Sequence, residues 1–392
     1  MSRIQTNNIR KVKKRYTNYY ELRYTVINEE TNTVTRKSKY FHTSAEAQKF
    51  YHQIKSDVAN HKYFESENDR ITVGEWLDIW LDEYCKSQKY STIHHYRFTC
   101  NNHIKPALGK IKLIALKTTQ IQKFYNSLEQ DNLAPKTIKN IHSCLSKALN
   151  VAIRAGYITS NPATNTEIKR ATRKPIHPLD DEQVKQFLNA LGDGKYDNVL
   201  RVILFTGLRE SEAIGLTWNC IDFNNDKITI EKQLQQRNIA DGGYTFESTK
   251  SDKIRVIHPA PTVMNILKAQ RKKQITERMA AGKYWQGWQT EKQFSNSLCF
   301  LNEEGKHLSP KSLYIYYKKI VKDIAPETCV HDLRHTYATL SLQNGDDILT
   351  VSRNLGHATA SFTLDVYGHI SQKMRDNSAN RMEAYIKNIE AV

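Results

Sequence analysis

The spacing of apolar residues changes near residue 43, and this change constrains the fold more than any other feature of the sequence. Residues 19–27 and 33–41 alternate between apolar and polar side chains, which is the period of a β-strand. The polar residues 28–32 between them predict a hairpin turn, and the basic run 9–15 is a candidate third strand. Later apolar residues recur mostly at helical spacing, so a small sheet should precede a largely helical chain.

The segment after these strands predicts a helix that can cover the sheet. Thr43 and Glu46 have the spacing of a capping box, in which each side chain bonds backbone at the helix start. The apolar stripe of this helix consists of Ala47, Phe50, Tyr51 and Ile54. Alternation in the strand at 19–27 places on one face Leu22, Tyr24 and Val26, and on the other Tyr19, Arg23 and Thr25. One face of the sheet can therefore meet the helix.

The middle of the chain predicts a bundle of helices. The polar residues 65–70 are expected to form a linker, and Thr72 with Glu75 forms a second capping box. Further helical patterns cover residues 92–104, 119–130 and 134–155. Pro106 and Gly109 are expected to break the chain between the first two of these patterns.

A polar, basic connector at residues 163–178 precedes the last part of the chain. Asp180 and Gln183 predict a helix start after it, and the alternating runs 226–230 and 254–257 predict two strands in an otherwise helical region. The fold class is therefore α+β and multidomain, with a small three-stranded sheet plus helix, a helical bundle, and a mainly α domain with a small sheet. The predicted domains are 1–64, 65–165 and 179–392, with a linker at 166–178.

The composition predicts a polyanionic partner. Lysine and arginine outnumber aspartate and glutamate by 58 to 41, which gives a net charge of +17. No apolar run approaches the roughly 18 to 20 residues of a membrane-spanning helix, and residues 1–14 lack the apolar core of a signal peptide. A soluble protein of the cytoplasm is expected. The six scattered cysteines form no Cys-x-x-Cys pair and are expected to be reduced, partly buried thiols.

Basic residues, histidines and one tyrosine in the carboxy-terminal half form the chemical signature of the sequence. In chain order they are Arg209, Lys250, His331, Arg334, His357 and Tyr367. Guanidinium groups bind the oxygens of a phosphate in a fork geometry, and a phenol can attack phosphorus covalently. A site with this much positive charge predicts phosphate chemistry rather than hydrolysis at carbon.

The sequence around these residues resembles that of the tyrosine recombinases, in particular the integrases of phages and transposons. The matching strings are Thr-Gly-Leu-Arg-x-x-Glu from Thr206, His-x-Leu-Arg-His-Thr from His331, and Leu-Gly-His from Leu355 with a tyrosine ten residues after the histidine. Each string alone is weak, but all of them occur in the family's order over about 160 residues. The resemblance implies a site-specific DNA recombinase that integrates or excises a mobile element and needs no metal, ATP or other cofactor.

The resemblance also implies roles for the individual residues. Tyr367 would attack a backbone phosphate, form a 3′-phosphotyrosyl bond and release a 5′ oxygen, which Lys250 would protonate. Arg209 and Arg334 would stabilise charge on phosphorus, and Glu212 would support Arg209. The two histidines would assist proton transfer, and the 5′-hydroxyl of a partner duplex would then reverse the step.

The resemblance further implies how the partner is bound. The amino-terminal sheet resembles the arm-type domain of integrases, which lies in the major groove, and the bundle resembles their core-binding domain. The candidate DNA contacts are Lys13, Arg15, Tyr19, Arg23, Arg36, Lys37, Lys39, Arg97, Lys136 and Lys139. The implied partners are double-stranded attachment sites of core and arm type, occupied by a homotetramer in the nucleoid of a bacterial host. An excisionase or a host DNA-bending protein is a candidate accessory factor.

Simpler explanations exist for several of these residues. Arg209 and Glu212 can form a purely structural ion pair, and Lys250 can be a solvated loop lysine, with Lys253 as a competitor for its role. The amphipathic tail at 377–392 can pack on its own domain instead of docking on a neighbouring subunit.

His331 and His335 have the spacing of some zinc ligands. That alternative is disfavoured because the usual glutamate is missing beside the first histidine and Arg334 would place a cation next to the metal. Asp332 and His335 are better explained as packing or supporting groups.

Three other functions share parts of the pattern. A type IB topoisomerase uses the same chemistry but reseals the same strand, and the amino-terminal sheet favours a recombinase over it. A catalytically silent DNA-binding regulator would not need the complete set of six residues. A metal-dependent nuclease would lose its activity in the presence of a chelator.

Overall fold

The computed structural model describes residues 2–14, 17–28, 33–59, 71–170, 176–237, 243–249, 254–357, 382–383, 385–387 and 389. The chain divides into two compact units, Met1–Arg173 and Lys174–Val392. This division falls inside the linker predicted at 166–178, and the predicted domain boundaries stay predictions. Four residues of the sequence analysis, Arg15, Lys250, Lys253 and Tyr367, lie outside the described residues.

An antiparallel three-stranded sheet with one helix forms the amino-terminal part of the first unit, as predicted. Its elements are β1 (Ser2–Lys14), β2 (Thr17–Asn28), β3 (Thr33–Phe41) and α1 (Ser44–Ala59). Thr43 caps α1 by accepting a hydrogen bond from the Glu46 backbone N–H at 3.2 Å. The core between sheet and helix is small and contains Leu22, Tyr24, Ala47 and Ile54.

The two faces of this sheet carry different side chains. Leu22 of β2 is paired with Lys39 of β3, and the Lys39 ammonium lies 4.0 Å from the centre of the Phe50 ring on α1. Side chains alternate along a strand, so Lys37 and Lys39 share the face that α1 covers. Of the predicted DNA contacts, the open face carries Tyr19, Arg23 and Arg36. Lys37 and Lys39 would reach DNA only around the edge of β3, and the side chain of Lys13 lies outside the described part.

The open face is organised around a carboxylate. Glu21 Oε2 accepts a hydrogen bond from the Arg10 Nε at 2.6 Å. Its Oε1 accepts one from the Tyr40 hydroxyl at 3.0 Å and lies 3.2 Å from the Arg23 Nε. The bond from Arg10 is the main cause that lowers the pKa of Glu21. Two arginines of the open face are therefore held in place before any ligand arrives.

A helical bundle forms the rest of the first unit. Its helices are α2 (Val73–Ile79), α3 (Tyr90–Thr99), α4 (Lys105–Leu108), α5 (Thr118–Gln130) and α6 (Pro135–Arg154). Thr72 and Glu75 form the predicted capping box. The Trp76 indole is fully buried and donates to the Ala148 carbonyl at 3.0 Å, which ties α2 to α6. The exposed surface of the bundle carries Arg97, Lys136 and Lys139.

Of the two residues predicted to break the chain, Gly109 ends the helical path, but Pro106 does not. The path continues from α3 through the π-helical turn Cys100–Ile104 into α4. Pro106 is the second residue of α4 and directly follows this turn, in which the Lys105 N–H donates to the Cys100 carbonyl. A second π-helical turn, Trp80–Tyr84, extends α2.

The second unit is mainly helical with two small sheets. Its helices are α7 (Asp181–Ala190), α8 (Asp197–Thr206), α9 (Glu210–Ile214), α10 (Pro261–Ala281), α11 (Glu291–Ser295), α12 (Pro310–Ile320), α13 (Val330–Gln343) and α14 (Ile348–Leu355). Its strands are β4 (Ile221–Asp222), β5 (Lys227–Ile230), β6 (Lys232–Gln236), β7 (Tyr244–Ser248) and β8 (Arg255–Ile257). The described strands pair in the orders β4-β5-β8 and β6-β7. The predicted strands are β5 and β8, and the hairpin of β6 and β7 was not predicted.

Helix α8 lies at the centre of the unit and packs against α13. Its residues Leu200, Val202, Ile203 and Leu204 are completely buried. Asp180 caps α7 with Gln183 as predicted, each bonding the other's backbone N–H. All six cysteines are free, five of them buried and Cys329 half-buried, which confirms the prediction for the thiols.

The described residues of the tail are Met382, Glu383, Tyr385–Lys387 and Ile389, and they are helical. Their apolar side chains are 42 to 61% exposed, so both alternatives for the docking of the tail stay open. Across the described part of the chain, no helix is both long enough and apolar enough to span a bilayer.

Gly207 closes α8 in the left-handed conformation, with φ of 66°. A β-carbon there would lie 2.4 Å from Cδ1 of Tyr337 and 2.7 Å from Cδ2 of Leu355. We expect Gly207→Ala to lower the free energy of unfolding by about 2 to 4 kcal/mol, through backbone strain and overpacking. The urea denaturation midpoint measures this loss.

Gly243→Ala is the matched control, because Gly243 has φ of 69° but nothing within 4 Å of the added atom. It should cost only the backbone strain, about 1 kcal/mol. Equal losses for the two variants would show that the close packing around Gly207 contributes nothing.

Candidate active site

Arg209 lies in the turn between α8 and α9, where it caps the start of α9. Its Nη1 donates to Glu212 Oε1 at 2.7 Å, and its backbone N–H donates to Glu212 Oε2 at 3.0 Å. The Arg209 side chain keeps 20% of its surface exposed, whereas that of Glu212 is fully buried. The predicted pair therefore exists, and its carboxylate supports an arginine that a ligand can still approach.

Arg334 lies on α13, one turn after His331, as the spacing predicts. Its side chain is almost fully buried. Nη1 donates to the Gly207 carbonyl at 2.7 Å, and Nη2 donates to the Leu355 carbonyl at 2.6 Å. The guanidinium therefore joins the end of α8 to the end of α14.

The end of α14 is a Schellman turn. Gly356 has φ of 65°, its N–H donates to the Arg353 carbonyl at 2.9 Å, and the His357 N–H donates to the Ser352 carbonyl at 3.1 Å. The Gly356 carbonyl accepts a long bond of 3.4 Å from Arg209 Nη2. Arg209 and Arg334, 125 positions apart in the sequence, thus contact successive carbonyls beside His357.

Arg255 also belongs to this site, although the sequence analysis did not identify it. Its Nη1 and Nη2 donate to the two oxygens of Glu212 at 3.0 and 2.6 Å, and its Nε donates to the Asn354 carbonyl at 2.9 Å. The only sequence signal was an arginine within a predicted strand, five residues after Lys250. Strand alternation places such a side chain on one face but does not name its partner.

The Glu212 carboxylate is ionised under all ordinary conditions. Burial opposes its charge, but the hydrogen bonds and charges of Arg255 and Arg209 outweigh that effect and lower the pKa of Glu212 to about 2. Four N–H groups from the two arginines fill the carboxylate oxygens.

The histidines of the site are neutral at pH 7. Burial, together with the charges of Arg334 and Arg209, lowers the pKa of His357 to about 4. Desolvation and the neighbours His335 and Arg334 lower the pKa of His331 to about 4 as well. The His331 ring is accessible to water, which weakens these effects, so we expect a smaller shift for His331 than for the half-buried His357.

His331 and His335 stand edge to face, with ring centres 5.0 Å apart. Among the described residues, no three His, Cys, Asp or Glu side chains are arranged to bind one metal ion. The zinc alternative therefore lacks a third ligand in the described part of the site. His335 is best explained as a group that supports His331.

Comparison with known proteins identifies the arrangement. The profile of the phage integrase family matches residues 177–374, and that of the integrase N-terminal SAM-like domain matches residues 72–129. The chain belongs to the phage integrase family. It is a tyrosine recombinase, an enzyme of site-specific DNA recombination. The resemblance stated from the sequence is confirmed, and the topoisomerase, regulator and nuclease alternatives are not supported.

Individual relatives are similar over most of their length. A tyrosine recombinase XerC-like protein of Caldanaerobacter subterraneus subsp. tengcongensis is 28% identical over 380 residues, which cover 93% of this chain and 95% of that protein. The ICEBs1 integrase of Bacillus subtilis is 23% identical over 319 residues, covering 78% of this chain and 81% of the relative.

Solved structures share the fold. The Tn1549 transposon integrase bound to transposon right end DNA has a TM-score of 0.66 at 21% identity, covering 80% of this chain and 100% of that one. A lambda integrase tetramer bound to a Holliday junction has a TM-score of 0.54 at 16% identity, covering 87% and 92%. The α+β fold class is therefore confirmed.

We expect Glu212→Gln to destabilise this integrase by about 3 kcal/mol at pH 7, because Arg209 and Arg255 lose the buried counterion that they share. The pKa of Glu212 is lower in the folded state than in the unfolded state, so its contribution is complete above pH 4.5 and is lost as the pH falls towards about 2. Urea denaturation at several pH values measures the difference.

Glu303→Gln is the control, because Glu303 pairs with Lys195 at 2.9 Å while 71% of its side chain is exposed. It should cost less than about 1 kcal/mol. A similar cost for both variants would contradict the central position of Glu212.

We expect the His357 imidazole to titrate near pH 4 in the free protein. Its folded pKa is below the unfolded value of 6.5, so it reduces stability progressively as the pH falls from about 6.5 to about 4. An NMR titration of the ring protons gives the midpoint directly. A midpoint near 6.5 would mean that neither burial nor the charges of the arginines act on this ring.

Proposed function

We propose that this integrase cuts and rejoins DNA through Tyr367, at a phosphate bound by Arg209 and Arg334. The Tyr367 hydroxyl would give its proton to a neutral histidine of the site, and its oxygen would bond to phosphorus as the bond to the 5′ oxygen breaks, leaving a 3′-phosphotyrosyl linkage. Lys250 would deliver the proton to the departing 5′ oxygen. Attack by a 5′-hydroxyl of the partner duplex would restore the phosphodiester and release the tyrosine, so no external energy source is required.

One observation carries this proposal: Arg209 and Arg334 bind successive carbonyls of the same turn, at Gly356 and Leu355. Two guanidinium groups fixed this close together can share one phosphate and stabilise the charge that develops on it. The accessible part of Arg209 is where the phosphate would approach.

The protonation state of the histidines fits the same chemistry. Because the pKa of His357 is about 4, its ring at neutral pH carries one N–H donor and one acceptor nitrogen. A neutral imidazole can donate a hydrogen bond to a phosphate oxygen or take up a proton during transfer. We propose these roles for His357 and His331.

We propose that the two parts of the first unit bind separate DNA elements. The open face of the amino-terminal sheet, with Arg23 and Arg36, would enter the major groove of an arm-type site. The bundle surface with Arg97, Lys136 and Lys139 would follow the backbone of the core site. The basic net charge of +17 supports both assignments.

We propose a homotetramer as the active assembly, working in the cytoplasm of a bacterial host to integrate and excise a mobile element. The lambda integrase tetramer on a Holliday junction supports this assembly, because its fold is shared. The proposed domains are 1–64 for arm sites, 65–165 for core sites, a linker at 166–178 and a catalytic domain at 179–392. An excisionase or DNA-bending protein would set the direction of recombination.

The test measures formation of a covalent protein–DNA adduct. The substrate is a core-site duplex with a nick close to the scissile phosphate, so that cleavage releases a short fragment that diffuses away and cannot be rejoined. The wild type should give a protein–DNA band that survives denaturant, with or without chelator, and Tyr367→Phe should give none because the phenol oxygen is absent. Binding of intact DNA should be unchanged in this variant.

Tyr385→Phe is the matched control, because Tyr385 lies in the same carboxy-terminal segment with 61% of its surface exposed. It should form the adduct at the wild-type rate. An adduct that persists in Tyr367→Phe would show that another residue is the nucleophile.

A further inference from the structure

Arg255 is a buried arginine whose hydrogen bonds are made within the protein. Its side chain is 9% exposed. Two nitrogens bind the two oxygens of Glu212, and the third binds the Asn354 carbonyl. All three guanidinium nitrogens of Arg255, Nε included, donate within the protein, so its partners carry its effect on the site.

The first effect of Arg255 acts through the carboxylate of Glu212, which supports Arg209. A bidentate pair between Arg255 and Glu212 fixes the plane of the carboxylate, and Glu212 in turn receives Arg209 Nη1 at 2.7 Å. The direction of the Arg209 guanidinium therefore depends on Arg255.

The second effect is electrostatic. If Glu212 faced Arg209 alone, the pair would be neutral and would attract a phosphate weakly. With Arg255 present, two guanidinium groups share one carboxylate, so a full positive charge remains for the ligand. In a partly desolvated site this charge acts strongly.

The third effect concerns the turn that carries His357. The Arg255 Nε holds the Asn354 carbonyl at 2.9 Å, and a β-carbon on Gly356 would lie 3.0 Å from Arg255 Nη1. The close packing of Gly356 on this guanidinium fixes the turn against β8. Arg255 also follows Lys250 by five residues in the chain, so it anchors the strand that leads away from the proposed proton donor.

We propose that Arg255 is a positioning residue for recombination, which keeps Arg209 oriented and charged by acting as the second counterion of Glu212. The proposal rests on the function proposed above, in which Arg209 binds the scissile phosphate.

The experiment measures single-turnover adduct formation at saturating DNA for Arg255→Gln and Arg255→Lys. Arg255→Gln should slow the reaction by about 100-fold, as expected when one transition-state donor is lost. Arg255→Lys keeps the charge but not the bidentate geometry, so it should lose about tenfold. The Kd for intact DNA should rise by less than about threefold, because the scissile phosphate would be only one of many phosphates that this basic protein contacts.

A second substrate separates positioning from simple damage to the fold. When a methyl group replaces one nonbridging oxygen of the scissile phosphate, the negative charge that Arg209 would stabilise is removed. The deficit of Arg255→Gln relative to wild type on this substrate should shrink to less than about tenfold. A purely structural defect would be equally large on both substrates.

Arg201→Gln is the matched control, because the Arg201 guanidinium likewise donates within the protein, to the backbone carbonyls of Leu191 and Gly192 at 2.9 Å each. It should react at the wild-type rate. If a urea denaturation curve shows that Arg255→Gln is already unfolded without denaturant, Arg255→Lys carries the test.

Adduct formation by the Arg255 variants at the wild-type rate, or an equal deficit on both substrates, would overturn the proposal. Failure of the wild type to form any adduct would instead overturn the proposed function, so the two failures are distinguishable.

Discussion

The carboxyl end of α14 is the constraint on which the site depends. The last four carbonyls of a helix have no partner inside it and carry partial negative charge. In α14 all four are satisfied: Ser352 and Arg353 by the turn, Asn354 by Arg255, and Leu355 by Arg334. The arginines therefore satisfy the last two carbonyls of α14, and these carbonyls in turn fix the positions of the guanidinium groups. Gly356 permits this arrangement because it has positive φ and no side chain where a guanidinium packs.

The charges of the site follow from this arrangement. Arg209, Arg255 and Arg334 lie close together with the single carboxylate of Glu212 hydrogen-bonded to two of them, which leaves an excess of positive charge. That excess contributes to lowering the pKa of His357 to about 4, so its ring is neutral beside the arginines. Guanidinium groups already bound to carbonyls need little rearrangement when a phosphate arrives. The same scaffold thus sets both the electrostatic attraction and the protonation state needed for proton transfer.

The sequence predicted the caps, the strands and the ion pair that involve residues close together in the chain. The caps at Thr72 and Asp180, the strands β2, β3, β5 and β8, and the Arg209–Glu212 pair each involve residues at most a few positions apart. It did not predict contacts between distant segments. Arg255 and Glu212 are 43 positions apart, and Arg334 and Gly207 are 127 apart. Pro106 was misjudged because a proline inside a helical pattern usually ends or kinks the helix, whereas here it directly follows a π-helical turn in a path that continues.

The turn at Gly356 also limits where the proposed nucleophile can act. Tyr367 follows His357 by ten residues, a tether that spans at most about 35 Å when fully extended. The start of that tether is fixed beside Arg209 and Arg334, because both arginines bind carbonyls of the turn. The phosphate that the two guanidinium groups would hold therefore lies within reach of the start of this tether. The arginines and the segment that would bring the proposed nucleophile share one anchor, so any change that loosens the turn should disturb both.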